Sequence, residues 1–107
     1  AYTILNGAAA ENPFPFASPV SVATAGLLML GRSLIAEMGQ SPVRINQLIL
    51  GPIHTSTLHT PGRDSWLTGS DVGEIVAQLT TQSVKRSEII RLTSRAEVPS
   101  VLADLAQ

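Results

Sequence analysis

Three short apolar segments alternate with two stretches of helical periodicity, and that alternation leaves few folds open to this chain. Residues 2–6, Tyr-Thr-Ile-Leu-Asn, are rich in strand formers and end at Gly7. Residues 43–50, Val-Arg-Ile-Asn-Gln-Leu-Ile-Leu, become continuously apolar toward their end and stop at Gly51-Pro52. Residues 88–93, Glu-Ile-Ile-Arg-Leu-Thr, supply a third strand. Short strands joined by helical crossovers are expected to lie parallel with right-handed connections. The apolar end of the second strand is the pattern of a sheet covered on both faces. The expected fold class is therefore α/β, a three-layer β-α-β-α-β unit in one domain over residues 1–107. Its ligand side is expected at the carboxyl ends of the strands: Asn6-Gly7, Leu50 to Thr55, and Thr93.

The connections carry their own signals. Residues 12–19, Asn-Pro-Phe-Pro-Phe-Ala-Ser-Pro, cannot be helical, because each proline pushes its predecessor toward extended geometry. Ser18 then offers an N-cap with Pro19 at the first helical position, which predicts a helix over about 19–38 that Gly39 terminates. That helix is apolar nearly all round, from Val20 and Val22 through Leu27, Leu28, Met29 and Leu30 to Leu34, Ile35 and Met38, so it must be covered on more than one side. A sheet covers one side; a second copy of the chain is expected on another, where Gly26 and Gly31 permit close approach. Ser70 is expected to cap a second helix through about Gln82, with Val72, Ile75, Val76 and Leu79 on one face. The acidic Asp71 and Glu74 fit the positive end of that helix better than they fit catalysis. Pro99 onward is expected to form a short terminal helix.

Composition narrows the function classes. Seven Lys plus Arg against eight Asp plus Glu give a net charge of -1, with no basic face for a phosphate backbone, so no nucleic-acid partner is expected. The absence of cysteine excludes disulfides, thiolate metal sites and cysteine nucleophiles, and goes with a cytoplasmic setting. The longest uncharged stretch, residues 12–31, is broken by Pro13, Pro15 and Pro19, leaving about a dozen helix-compatible residues against the roughly 20 a bilayer needs. No membrane span is expected.

Two segments carry a family resemblance: residues 31–39, Gly-Arg-Ser-Leu-Ile-Ala-Glu-Met-Gly, and residues 43–55, Val-Arg-Ile-Asn-Gln-Leu-Ile-Leu-Gly-Pro-Ile-His-Thr. The first resembles the end of the long active-site helix of the short-chain dehydrogenase/reductase family, and the second its strand-and-loop motif ending in Pro-Gly-x-Ile-x-Thr. The likeness spans roughly residues 2–94 and implies the C-terminal half of a Rossmann-like domain that binds NAD or NADP. It also implies that the N-terminal half, with its glycine-rich phosphate turn, lies outside this chain, which opens at Ala1 inside a strand-like segment. By resemblance the nicotinamide end of the cofactor falls on Leu50, Gly51, Pro52, Ile53 and Thr55, with Leu50 standing where the family has Pro. Gly51 would let a ligand approach the backbone and the Thr55 hydroxyl would bond an amide, although Gly-Pro also simply ends a strand.

The family's proton relay is missing. Its Ser, Tyr and Lys fall by spacing on Gly7, Val20 and Thr24, thirteen and then four residues apart, and none of the three side chains is present. The single tyrosine, Tyr2, and the single lysine, Lys85, stand elsewhere. The resemblance thus implies an oxidoreductase scaffold built for a dinucleotide and a small-molecule substrate, without hydride-transfer competence in this chain. The alternative is a non-enzymatic dinucleotide-binding or dimerisation scaffold.

Other groupings are weaker. His54 and His59, with Asp64 downstream, offer a metal site or an acid/base pair, but metal sites usually gather three ligands at tighter spacing, and no metal is expected. Ser56, Thr57 and Ser65 lack the setting of a hydrolytic nucleophile. Trp66 stands where the family's substrate lid would be, and an aromatic anchoring a loop to the core reads equally well.

Overall fold

The computed structural model describes residues 2–39, 41–54, 64–81 and 87–106. β1 (Tyr2–Gly7) leads through a 3-10 turn at Ala8–Ala10 into α1 (Ser18–Glu37), which returns to β2 (Ile45–Leu50). After β3 (Ile53–His54) and β4 (Leu67–Thr68) come α2 (Gly69–Thr81), β5 (Ile89–Leu92), a 3-10 turn at Arg95–Glu97 and α3 (Val98–Leu105). The protein is thus mixed α/β, with a small parallel sheet and three helices. β1, β2 and β5 lie side by side in that order, β2 parallel to both, with Tyr2 opposite Ile45, Gly7 opposite Leu50, Gln47 opposite Ile89 and Leu50 opposite Leu92. The two-residue strands β3 and β4 form a second parallel pair between β2 and α2.

Strand alternation sorts the side chains onto two faces. Leu48, Leu50 and Leu92 join Val72, Ile75 and Leu79 of α2 and Val98 and Leu105 of α3 in one buried cluster. The opposite face presents Ile45, Gln47 and Ile49 with Ile4 and Asn6 of β1, and α1 lies there. Gly31 sets that contact: a Cβ at this position would collide with the Gln47 amide and lie 3.6 Å from Ile4 Cδ1. All six residues of β2 are buried, as its apolar pattern requires, and Asn46 and Gln47 go in with the rest.

Several local expectations are corrected. α1 begins at Ser18 itself, with Ala17 at the cap and no side-chain cap bond, because Pro19 already occupies the first turn. α2 is capped by Thr68 rather than Ser70: the Thr68 N–H donates to Asp71 Oδ2 at 2.9 Å and the Asp71 N–H to Thr68 Oγ1 at 3.1 Å, a reciprocal box two residues earlier. A second box, Ser94 with Glu97, starts the terminal helical segment ahead of Pro99. The expected covering of α1 on several sides is not met within the chain. Only Leu28 and Gly31 of that helix are buried, and Val20, Val22, Met29 and Leu30 are exposed. At 20 residues α1 has the expected length, and it is long and apolar enough by length and composition to cross a membrane, which the uncharged stretch taken alone did not suggest.

Candidate functional site

The carboxyl ends of the three strands bring Asn6-Gly7, Gly51-Pro52 and Thr93-Ser94 to one edge of the sheet. β2 and β5 close tightly there. The Gly51 N–H donates to the Leu92 carbonyl at 2.9 Å, and a Cβ on Gly51 would meet the Thr93 carbonyl oxygen, with Thr93 C and Cα each 3.0 Å away. The space left by the missing side chain is therefore filled by protein backbone, which corrects the expectation that Gly51 is glycine to admit a ligand. Leu50 turns its side chain into the core, so only its backbone lies at the edge. Pro52 is exposed, and its carbonyl accepts the Leu67 N–H at 3.2 Å. Ile53 and His54 are half-buried and pair with Leu67 and Thr68. His54 and Trp66 meet ring to ring, centroids 5.1 Å apart and tilted by 32°, which anchors Trp66 to the strand end. Thr55, Ser56, Thr57, His59 and Lys85 lie outside the described residues. Among the described residues no three His, Asp or Glu side chains gather as metal ligands; Asp64 and Ser65 are exposed.

The end of β1 and the first half of α1 form one corner of this edge, with Gly7 and Thr24 beside Asn6 and Val20 one helical turn before Thr24. Asn6, buried at the end of β1, donates its Nδ2 to the Thr24 carbonyl at 2.9 Å and to Gln47 Oε1 at 2.8 Å, while its Oδ1 accepts the Gly7 N–H at 2.8 Å. Thr24 Oγ1 donates back along the helix to the Val20 carbonyl at 2.8 Å, which ties its hydroxyl to its own turn. A Cβ on Gly7 would find nothing within 4 Å, so this position has open space around it. Val20 is exposed. None of the three positions offers an acid, a base or a hydroxyl free of its own helix.

Beside the corner lies an open cleft of about 390 Å³, walled by Ala9 and Ala10, by Asn12 to Phe14 and by Ser21 and Ala25 of α1. Glu11 reaches its rim and makes a two-pronged ion pair with Arg91 of β5, Nε to Oε1 at 2.6 Å and Nη2 to Oε2 at 2.7 Å. The Arg91 hydrogen bonds hold the Glu11 carboxyl below its ordinary range, which leaves it an ion-pair partner rather than a proton donor near neutral pH. Phe14 and the fully exposed Phe16 project from the loop that borders the cleft, Phe16 with a left-handed φ of 63°. Sequence spacing gives no hint of the Glu11–Arg91 pair, because the partners are 80 residues apart. The Asn6–Gln47 bond had a weak signal, two amides written into otherwise apolar strands. Compared with protein-family models, with curated proteins and with solved structures, the chain matches none.

Proposed function

We propose that this chain is part of a Rossmann-like domain of the short-chain dehydrogenase/reductase type, which holds the nicotinamide end of NAD or NADP at its sheet edge and lacks the proton relay for hydride transfer. One observation supports the reading: the Asn6 amide ties the end of β1, and with it Gly7, to α1 at Thr24, so a strand position and a helix position chosen by family spacing lie side by side. The strand order β1-β2-β5, all parallel, is compatible with this type of domain.

The residues fit the cofactor at one end only. Exposed Pro52 and half-buried Ile53 make an apolar rim suited to the flat nicotinamide ring. No glycine-rich turn for the pyrophosphate occurs in the sequence. Bound nicotinamide supplies the hydride in such enzymes; the protein must supply a proton at the substrate oxygen and hold the carbonyl. Gly7 has no hydroxyl to orient a carbonyl, Val20 has no acid, and the Thr24 hydroxyl is spent on its own helix. The expected behaviour is binding without turnover. Titration with NADH and NADPH, followed by nucleotide fluorescence and then by absorbance with a panel of small carbonyl compounds, tests it: saturable binding with no consumption supports the reading, and contaminant-free consumption overturns it.

The exposed apolar face of α1 favours a companion reading, a homo-oligomer built through this helix. Val22 is 75% exposed and only 11% of the helix's apolar window is buried, more greasy surface than an isolated helix face usually leaves to water. Sedimentation equilibrium at micromolar concentration is expected to give a dimer or larger, and Leu30→Arg to give monomer. A well-behaved monomer of the unmutated chain refutes it.

A further inference from the structure

A second cavity, of about 260 Å³, opens at the amino-terminal edge of the sheet, across the molecule from the strand ends discussed above. Ile35 and Met38 at the end of α1 form its apolar wall; Ser41, Val43 and Arg44 enter from the segment leading into β2, and Ser87 from the residues before β5. Its polar side chains present donors. Arg44 Nη1 is buried and has no hydrogen-bond partner. Ser41 Oγ accepts the Val43 N–H at 3.1 Å and Ser87 Oγ accepts the Ile45 N–H at 2.9 Å. Each hydroxyl so used keeps its own proton to give, and neither proton meets an acceptor among the described residues. Among the described residues no carboxylate side chain lines the cavity.

We propose that this cavity binds a phosphate-class oxyanion. A buried guanidinium N–H without an acceptor is costly, and native proteins rarely leave one so unless a ligand or water completes it. The three donor side chains arrive from two segments, Ser41 and Arg44 from one and Ser87 from the other, an arrangement that suits a tetrahedral group with three acceptor oxygens better than a planar carboxylate. The volume equals roughly eight or nine shares of liquid water at about 30 Å³ each, room for the anion and for an apolar carrier against Ile35 and Met38. The carboxyl end of α1 at Met38 and Gly39 turns its negative pole toward the same space; that opposing effect is weaker than charge-assisted hydrogen bonds from a partly desolvated guanidinium. The site is independent of the nucleotide reading, since it uses the opposite edge and none of the same residues.

The test is an amide NMR titration of the full chain at constant ionic strength with inorganic phosphate, phenyl phosphate and acetate. Saturable shifts at Ser41, Arg44 and Ser87 are expected with both phosphates, with acetate at least tenfold weaker. Tighter phenyl phosphate assigns an esterified ligand, and tighter inorganic phosphate the free ion. Arg44→Gln is expected to weaken phosphate at least tenfold. If its circular dichroism shows that it does not fold, Arg44→Lys, which keeps the charge and loses the fork, is expected to weaken it at least threefold. Non-saturable shifts, acetate binding as well as phosphate, or unchanged affinity in the folded variant overturns the proposal.

Discussion

Gly31→Ala separates helix propensity from packing, because the two predict opposite signs. In an exposed helix interior, replacing Gly by Ala stabilises by about 1 kcal/mol. Gly31, however, is buried where α1 crosses β2, and the new methyl would stand 3.4 Å from Gln47 Cδ, closer still to the Gln47 amide nitrogen, and 3.6 Å from Ile4 Cδ1. Gln47 is fully buried, so its amide cannot swing into solvent. Moving it breaks the 2.8 Å bond from Asn6, costing about 1–3 kcal/mol for a buried polar group left unpaired. Overpacking a filled interface costs about 1–3 kcal/mol more. Less the helix gain, a net destabilisation of about 3 kcal/mol is expected, visible as a fall in Tm of about 12 °C or more for a domain of this size. Urea unfolding followed by circular dichroism measures it. The double variant Gly31→Ala/Gln47→Ala is expected to be about 2 kcal/mol more stable than the two single effects predict in sum, since removing the amide makes room for the methyl. A Gly31→Ala variant as stable as the unmutated chain, or stabler, would refute the packing argument and return this glycine to a matter of propensity.

Three further outcomes follow from the geometry. Gly51→Ala places a methyl against backbone, which cannot rotate away as a side chain can, so a loss at the upper end of the roughly 1–3 kcal/mol overpacking range is expected by the same unfolding assay. Thr68→Val removes the acceptor for the Asp71 N–H and is expected to cost about 1 kcal/mol, whereas Ser70→Ala, at the position first expected to cap α2, is expected to change stability by less than about 0.5 kcal/mol. Glu97 is held below the ordinary carboxylate range, chiefly by the Thr93 hydroxyl; desolvation, the next largest effect, opposes this, and the Thr93 and Ser94 N–H groups add smaller contributions in the same direction as the hydroxyl. Its folded pKa is depressed, so its contribution is fully present above the ordinary carboxylate range and is lost as pH falls through the lowered value. Unfolding curves across that acid range should therefore lose part of their pH dependence in Glu97→Gln; an unchanged pH profile would contradict the assignment.

The parallel sheet was legible because a helix running back along the sheet returns the chain to the end where the previous strand began, and β2 because six consecutive positions tolerate burial on both faces. The caps were legible in principle and misread in detail. Thr68 with Asp71 and Ser94 with Glu97 both carry the hydroxyl-x-x-acid spacing, but Ser70 two positions on and Pro99 five positions on offered competing starts, and spacing alone does not say which hydroxyl points at the helix. What lay out of reach was long-range: Arg91 with Glu11, Asn6 with Gln47, and Gly51 against Thr93 depend on how strand ends meet in space. Gly51 is the instructive case. A glycine after a strand looks the same in sequence whether a ligand or the neighbouring backbone takes the space. Counting residues put the family's empty positions on Gly7, Val20 and Thr24, and gave no sign of the Asn6 amide that ties the end of β1 to Thr24.

The central claim is that the carboxyl edge of the sheet receives a nicotinamide nucleotide that the chain cannot turn over. An amide NMR titration with NADH in the presence of saturating inorganic phosphate tests it most directly, because phosphate occupies the Arg44 cavity if that cavity binds anions and leaves the nicotinamide end as the reporter. Saturable shifts at Gly7, Gly51 and Ile53, with NADH absorbance unchanged when carbonyl compounds are added, are the predicted result. No shifts at those amides at millimolar NADH, or shifts confined to Ser41, Arg44 and Ser87, would contradict it.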